Sequence, residues 1–296
     1  ATTTGRTAMR ASRPATATTT LLSLILAFCA ASAQQAAGQM VTWDAAVVTD
    51  ATGAFVPALA AGDSGLHVTS LAAFPTGALH YKRSLDDGLT WQDDYVLSES
   101  AWVTGRVETD EGLVVVAWTD TVSDREVRAA RSLDGGETWE ASLPLSAPGA
   151  ALVCTGLAVS GANVVVVWEE VVGSVSTVYV SVSHDSGGSW GEPLPAATGP
   201  EPTAQGEGGV AIAGSSLVVS YAGGAGAYAV YSMDWGETWS SPTTLVSGSG
   251  GYSLRDLCSS GANVLTLVFH HPTQEHTIAH SGDGGTTWST LPVGAS

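Results

Sequence analysis

One eight-residue pattern recurs five times in this 296-residue chain, and a chain divided in this way must build five copies of one local structure. The first copy reads Ser84-Leu85-Asp86-Asp87-Gly88-Leu89-Thr90-Trp91, and the pattern returns at 132–139, 183–190, 232–239 and 281–288. Its fixed positions are a serine, an aspartate (Asp86, Asp134, Asp185, Asp234, Asp283), a glycine, a threonine or serine, and a tryptophan (Trp91, Trp139, Trp190, Trp239, Trp288). Successive aspartates lie about 49 residues apart. The chemistry is that of a tight hairpin turn. A short carboxylate bonds backbone N–H groups close to it in sequence, glycine supplies a positive φ, and hydroxyls tie down the remaining turn groups. The tryptophan adds a large ring able to insert between neighbouring units.

Ahead of each turn runs an apolar stretch: Leu66-His67-Val68, then 113–118, 164–168, 217–221 and 264–269. Such runs suit strands covered on both faces, as happens when sheets stack. A second strand leads into each turn, as at 177–183, and a short segment such as Leu143-Pro144-Leu145 follows the tryptophan as an outer strand. No helical period of comparable length competes. Each repeat therefore reads as a four-stranded antiparallel sheet in an all-β chain.

The turn pattern resembles the Asp-box, or BNR repeat, of sialidases and related β-propellers, over roughly residues 41–296. In that family the boxes are structural and lie on the face opposite the active site, so the resemblance implies that the five aspartates and five tryptophans hold the fold rather than perform chemistry. It also implies a six-bladed propeller. Counting strands, Val41-Thr42-Trp43-Asp44-Ala45-Ala46-Val47-Val48 reads as a sixth outer strand without a turn of its own. That strand would close a last blade whose other three strands this sequence lacks, giving a six-bladed propeller short of about one blade at its C-terminal end; a compact five-bladed ring is the alternative.

Residues 1–33 have the layout of a secretion signal: Arg6, Arg10 and Arg13, an apolar run from Leu21 to Ala31, then Ala31-Ser32-Ala33. A short linker, 34–40, follows, and the expected destination is secreted or periplasmic, with no membrane span once the signal is removed. The formal net charge of −18 disfavours nucleic acid and anionic lipid as partners, leaving a carbohydrate or a protein. Cys154 and Cys258 could form one disulfide after export or stay as two buried thiols.

Site residues are harder to find. The resemblance implies three arginines for a substrate carboxylate, a tyrosine nucleophile assisted by a glutamate, and an aspartate acid/base. The first arginine belongs to an Arg-Ile-Pro motif; here Phe55-Val56-Pro57 stands in its place, and phenylalanine cannot supply a bidentate fork. Arg106 and Arg255 each precede the aspartate of their own turn by the same number of residues, which predicts equivalent inner-strand positions lining the central funnel, or local pairing with Glu108 and Asp256. The connections expected on the pocket face add Asp120, Asp124 and Arg125, then Glu169 and Glu170, Tyr221, and His270 and His271, while Glu207 starts the fourth inner strand. Arg83 and Arg131 adjoin the turns and are expected to serve the opposite face. His270, His271 and His276 have no acidic or cysteine partner at ligand-like spacing, so neither metal nor cofactor is expected.

Three functions follow from these readings: a propeller that binds a glycan or protein without cleaving it, an exo-α-sialidase or other glycoside hydrolase with a variant pocket, or an assembly or sorting factor. The sharp motifs report fold rather than activity.

Overall fold

Each apolar run becomes the second strand of a sheet, and each repeat closes into four antiparallel strands. The computed structural model describes residues 55–72, 76–121, 125–149, 151–200, 208–223, 225–248 and 250–293. Blade 1 is β1 (Phe55–Gly62), β2 (Gly65–Leu71), β3 (Thr76–Ser84) and the first half of β4 (Tyr95–Asp110). Blade 2 takes the second half of β4 with β5 (Leu113–Asp120), β6 (Glu126–Ser132) and β7 (Leu143–Pro144), so the two blades form one seven-stranded sheet. Blade 3 is β8 (Ala151–Ser160), β9 (Asn163–Val172), β10 (Val175–Ser183) and β11 (Leu194–Pro200). Blade 4 is β12 (Gly208–Ala213), β13 (Ser216–Gly223), β14 (Gly226–Ser232) and β15 (Thr243–Ser247); blade 5 is β16 (Tyr252–Ser260), β17 (Asn263–His270), β18 (Glu275–Ser281) and β19 (Ser289–Val293). All eight residues of β5 are buried, as are Val164 to Trp168 of β9, because a blade lies against each of their faces.

The five turns share one hydrogen-bond pattern. The serine hydroxyl donates to the aspartate Oδ1 at 2.8, 2.6, 2.7, 2.7 and 2.8 Å and accepts the glycine N–H at 2.8 to 2.9 Å. The same Oδ1 accepts the N–H four residues on, and Oδ2 accepts the hydroxyl of that residue. At the glycine the backbone is left-handed, φ 86° for Gly136, and a Cβ there would lie 1.8 Å from the Tyr81 hydroxyl of the preceding blade, so no other residue fits.

The tryptophans of blades 2 to 5 lean on the blade before them. Trp139 packs in the core between blades 1 and 2, edge-on to Tyr81 at 4.7 Å between centroids; Trp190, Trp239 and Trp288 do the same at the next three junctions. All are half-buried rather than sealed, and Trp91 of blade 1 joins none of these clusters among the described residues. The described apolar clusters thus cover four junctions, from blade 1–2 to blade 4–5. Arg83 and Arg131 do serve the turn face. Arg83 Nη1 donates to the Asp134 and Gly135 carbonyls at 3.3 and 2.7 Å, and Arg131 Nη1 to those of Asp185 and Ser186 at 2.9 and 3.3 Å.

The signal, the linker and the strand expected at 41–48 lie outside the described residues. Cys154 and Cys258 are not joined in a disulfide; one lies on the inner strand of blade 3 and the other on that of blade 5.

Replacing Ser132 by alanine strands the buried Gly136 N–H and releases Asp134, and is expected to cost about 1–3 kcal/mol in a denaturant titration. Trp139→Ala removes a half-buried ring and is expected to cost about 3 kcal/mol, the lower end for large aromatics; a loss below about 1 kcal/mol in the same titration contradicts its place in the core.

Candidate functional site

The turns and the β1–β2-type hairpins share one face: Asp63 and Ser64 line a cleft with Asp87 and Asp134. The opposite face therefore carries the ends of the second strands and the starts of the inner strands, and it is where most of the sequence candidates fall. A recurrent irregularity marks it. The inner strand bulges between Phe55 and Ala58, between Trp102 and Arg106, between Cys154 and Gly156, and between Leu254 and Leu257. Bulges re-aim side chains at the rims of sheets, and nothing in the sequence pattern announces them.

The bulges correct the expected equivalence of the two arginines. Arg106 lies just past its bulge, paired with Ala117, whereas Arg255 and Asp256 form the bulge itself, between the Leu254–Val268 and Leu257–Thr266 pairs. One hairpin in blade 5 is a residue shorter than in blade 2, because Ser281 pairs with Val264 where Ser132 pairs with Val114, and this puts a count along the chain out of step with the register. Arg106 is half-buried, and its charge acts on Cys154, although burial dominates and pushes that thiol up to about 12. Glu207 and Asp124 lie outside the described residues, as does the Arg255 side chain.

The remaining candidates divide into tied and open groups. Asp120 is buried and accepts from Ser98 Oγ at 2.6 Å, Ser100 Oγ at 2.9 Å and Trp118 Nε1 at 2.8 Å, which makes it a strut between strands. Arg125, at φ 60°, lies over the Trp102 ring at 3.4 Å from its centroid. Glu169 is bonded by Ser176, and burial raises its carboxyl above the ordinary range. Glu170 is the next residue of the same strand and projects to the other side of the sheet, so the two glutamates cannot flank one substrate bond. Tyr221 stacks on Tyr228 at 5.6 Å, with its phenol pushed up to about 12 by burial and then by Tyr228. Across the junction Tyr252 stacks on His270 at 4.6 Å, and exposed His271 meets Ser253 Oγ through Nε2 at 2.6 Å. This row of rings along blades 4 and 5 is the most extended aromatic feature of the face among the described residues. No group of three or more histidine, cysteine, aspartate or glutamate side chains suited to a metal occurs among the described residues.

A buried polar chain on the other face resembles a nucleophile and its base. Ser64 Oγ lies 2.9 Å from His67 Nε2, His67 Nδ1 lies 2.7 Å from Tyr81 Oη, and Ser64 Oγ lies 2.9 Å from Thr109 Oγ1. The proton order, assigned from the network, decides its role. Thr109 donates to the Leu113 carbonyl at 2.9 Å, so it accepts from Ser64; Tyr81 donates to Nδ1, so Nε2 carries the hydrogen and donates to Ser64. The imidazole therefore points a donor at the serine and cannot take its proton. Burial, reinforced by the nearby Arg83 charge, lowers the His67 pKa to about 4, which keeps the ring neutral. The chain is a clasp between blades 1 and 2.

No protein-family model and no curated protein sequence matches the chain. Solved structures do. The Hadza microbial sialidase Hz136 aligns at 19% identity and TM-score 0.55 over 82% of this chain and 59% of its own, so this chain spans about three-fifths of that relative. The Trypanosoma rangeli sialidase in complex with the inhibitor DANA aligns at 13% identity and TM-score 0.55, over 83% of this chain and 49% of its own. An α-L-arabinofuranosidase from Fusarium graminearum aligns at 14% identity and TM-score 0.54, over 80% of each chain. At these identities the likeness is one of fold, and the fold is a sialidase-like β-propeller of four-stranded antiparallel blades. Among the described residues no helix is long and apolar enough to cross a membrane.

His67 sets a pH dependence with a definite sign. Its folded pKa, about 4, lies below the ordinary 6.5, so the unfolded chain takes up the proton first and stability falls as pH drops from about 6.5 to 4. The turn aspartates act lower: hydrogen bonds hold their carboxyls below the usual 3.8, that of Asp234 at about 2, so their contribution is present above 3.8 and lost below it. Thermal melts of His67→Gln against the parent are expected to flatten the slope between pH 6.5 and 4 and to leave the fall below 3.8 in place.

Proposed function

We propose that the chain is a secreted sialidase-like propeller that binds a glycan on the face opposite its turns, without an intact sialidase site. The observation that carries this reading is the state of that face. Its half-buried rings, Tyr221, Tyr228 and His270, the last backed by the buried Tyr252, suit the apolar faces of sugar rings, while its described carboxylates are tied, as Asp120 is, or set on opposite sides of a strand, as Glu169 and Glu170 are. Phe55 in place of the arginine implied by the family resemblance supports the same reading. The sialidase and arabinofuranosidase likenesses favour a carbohydrate over other ligands. The layout of 1–33 supports export.

The test pairs binding with turnover on the whole protein. Sialyllactose and arabino-oligosaccharides are titrated calorimetrically, and hydrolysis of a fluorogenic sialoside is followed in parallel. Binding weakened at least fivefold by Tyr221→Ala, with turnover at background, is expected. Turnover abolished by Arg255→Ala restores the enzyme, and failure to bind any glycan points to an assembly or sorting role.

A further inference from the structure

The four described junctions are not sealed alike on the turn face. The residue just before the turn serine fills the wedge between its blade and the next turn: Arg83 at junction 1–2, Arg131 at 2–3, and Tyr231, packed near Gly285, at 4–5. At junction 3–4 that residue is Val182. The residue after the tryptophan, which steadies each arginine as Gln92 and Glu140, is there Gly191. Both halves of the wedge are truncated at once, and a cleft of about 570 Å³ opens between blade 3 and the turn of blade 4.

Its lining repeats the environment of the two arginines. The Asp234 and Trp235 carbonyls stand where Asp134 and Gly135 receive Arg83 and where Asp185 and Ser186 receive Arg131, and no side chain among the described residues reaches them. Exposed Glu192 and Glu237 add carboxylates without an ion-pair partner among the described residues, as Glu137 and Glu140 do for the arginines. Trp235 is the unusual element. It occupies the first of the turn's two left-handed positions, φ 59°, just before Gly236, and two of the other turns give that position to glycine and the rest to Asp87 and Ser186. A bulky residue is rare there, and its ring, braced edge-on by His184 at 5.2 Å, walls the cleft with a face suited to a flat cation.

We propose that this cleft receives an arginine side chain from a partner polypeptide, its guanidinium donating to the carbonyls that the chain's own arginines satisfy at the two preceding junctions. The acceptor-rich lining and the net charge of −18 select a cationic donor, and the site is independent of the glycan face.

The test uses the whole protein and a hexapeptide of alternating arginine and glycine, read by tryptophan fluorescence and calorimetry, with a maltohexaose arm for neutral sugars. The peptide is expected to bind, to weaken as salt is raised, and to lose at least tenfold in Val182→Arg, where an internal guanidinium fills the wedge. The same variant, without ligand, is expected to raise the melting temperature by a few degrees. Trp235→Gly, which restores the glycine found in two other turns, is expected to fold and to weaken the peptide at least threefold. Absence of peptide binding, equal binding to Val182→Arg, or binding of maltohexaose in place of the peptide overturns the proposal.

Discussion

One hydroxyl carries each turn. The serine that opens the motif donates to the aspartate and accepts the glycine N–H, so a single buried oxygen joins the end of the third strand, the carboxylate and the reversed backbone. Everything downstream depends on the turn holding that shape. The tryptophan reaches back to the preceding blade because the turn aims it, and the turn carbonyls face the previous blade closely enough for Arg83 and Arg131 to bond them. The local hydrogen-bond pattern is thereby converted into the spacing between sheets.

The inner strands impose the second constraint. Where they approach one another there is no room for side chains: a Cβ on Gly156 would lie 2.9 Å from the Val210 nitrogen, and one on Gly209 2.7 Å from the Leu257 Cβ. The bulges are placed among these close approaches, at the end of each strand that meets the candidate site. Crowding at the axis and irregularity at the rim are two results of one geometry, in which successive sheets converge on a narrow centre.

The fold was more legible in the sequence than the site. Turn spacing and the apolar runs located every second strand, because burial on both faces leaves an unbroken stretch of valine and leucine in β5 and β9. Side-chain direction was less legible, because a bulge changes register without changing composition. Arg106 and Arg255 look equivalent by counting and are not equivalent by pairing. The His67 clasp was hidden for a related reason: His67, Tyr81 and Thr109 come from β2, β3 and β4, and Ser64 from the hairpin ahead of β2, and only the folded register brings them within bonding distance. The difference between Arg131 and Val182 was visible in the sequence, yet its meaning required knowing what the arginine touches.

β4 has a mechanical consequence. It is a single sixteen-residue strand that leaves blade 1 as its outer edge and enters blade 2 as its inner strand, while the later blades belong to separate sheets. Blades 1 and 2 are thus joined by a continuous hydrogen-bonded ladder as well as by the His67 clasp and the Arg83 tie. Local opening, which in stacked architectures proceeds unit by unit, has no seam between these two, and the N-terminal pair behaves as one cooperative block to which the remaining blades are added singly.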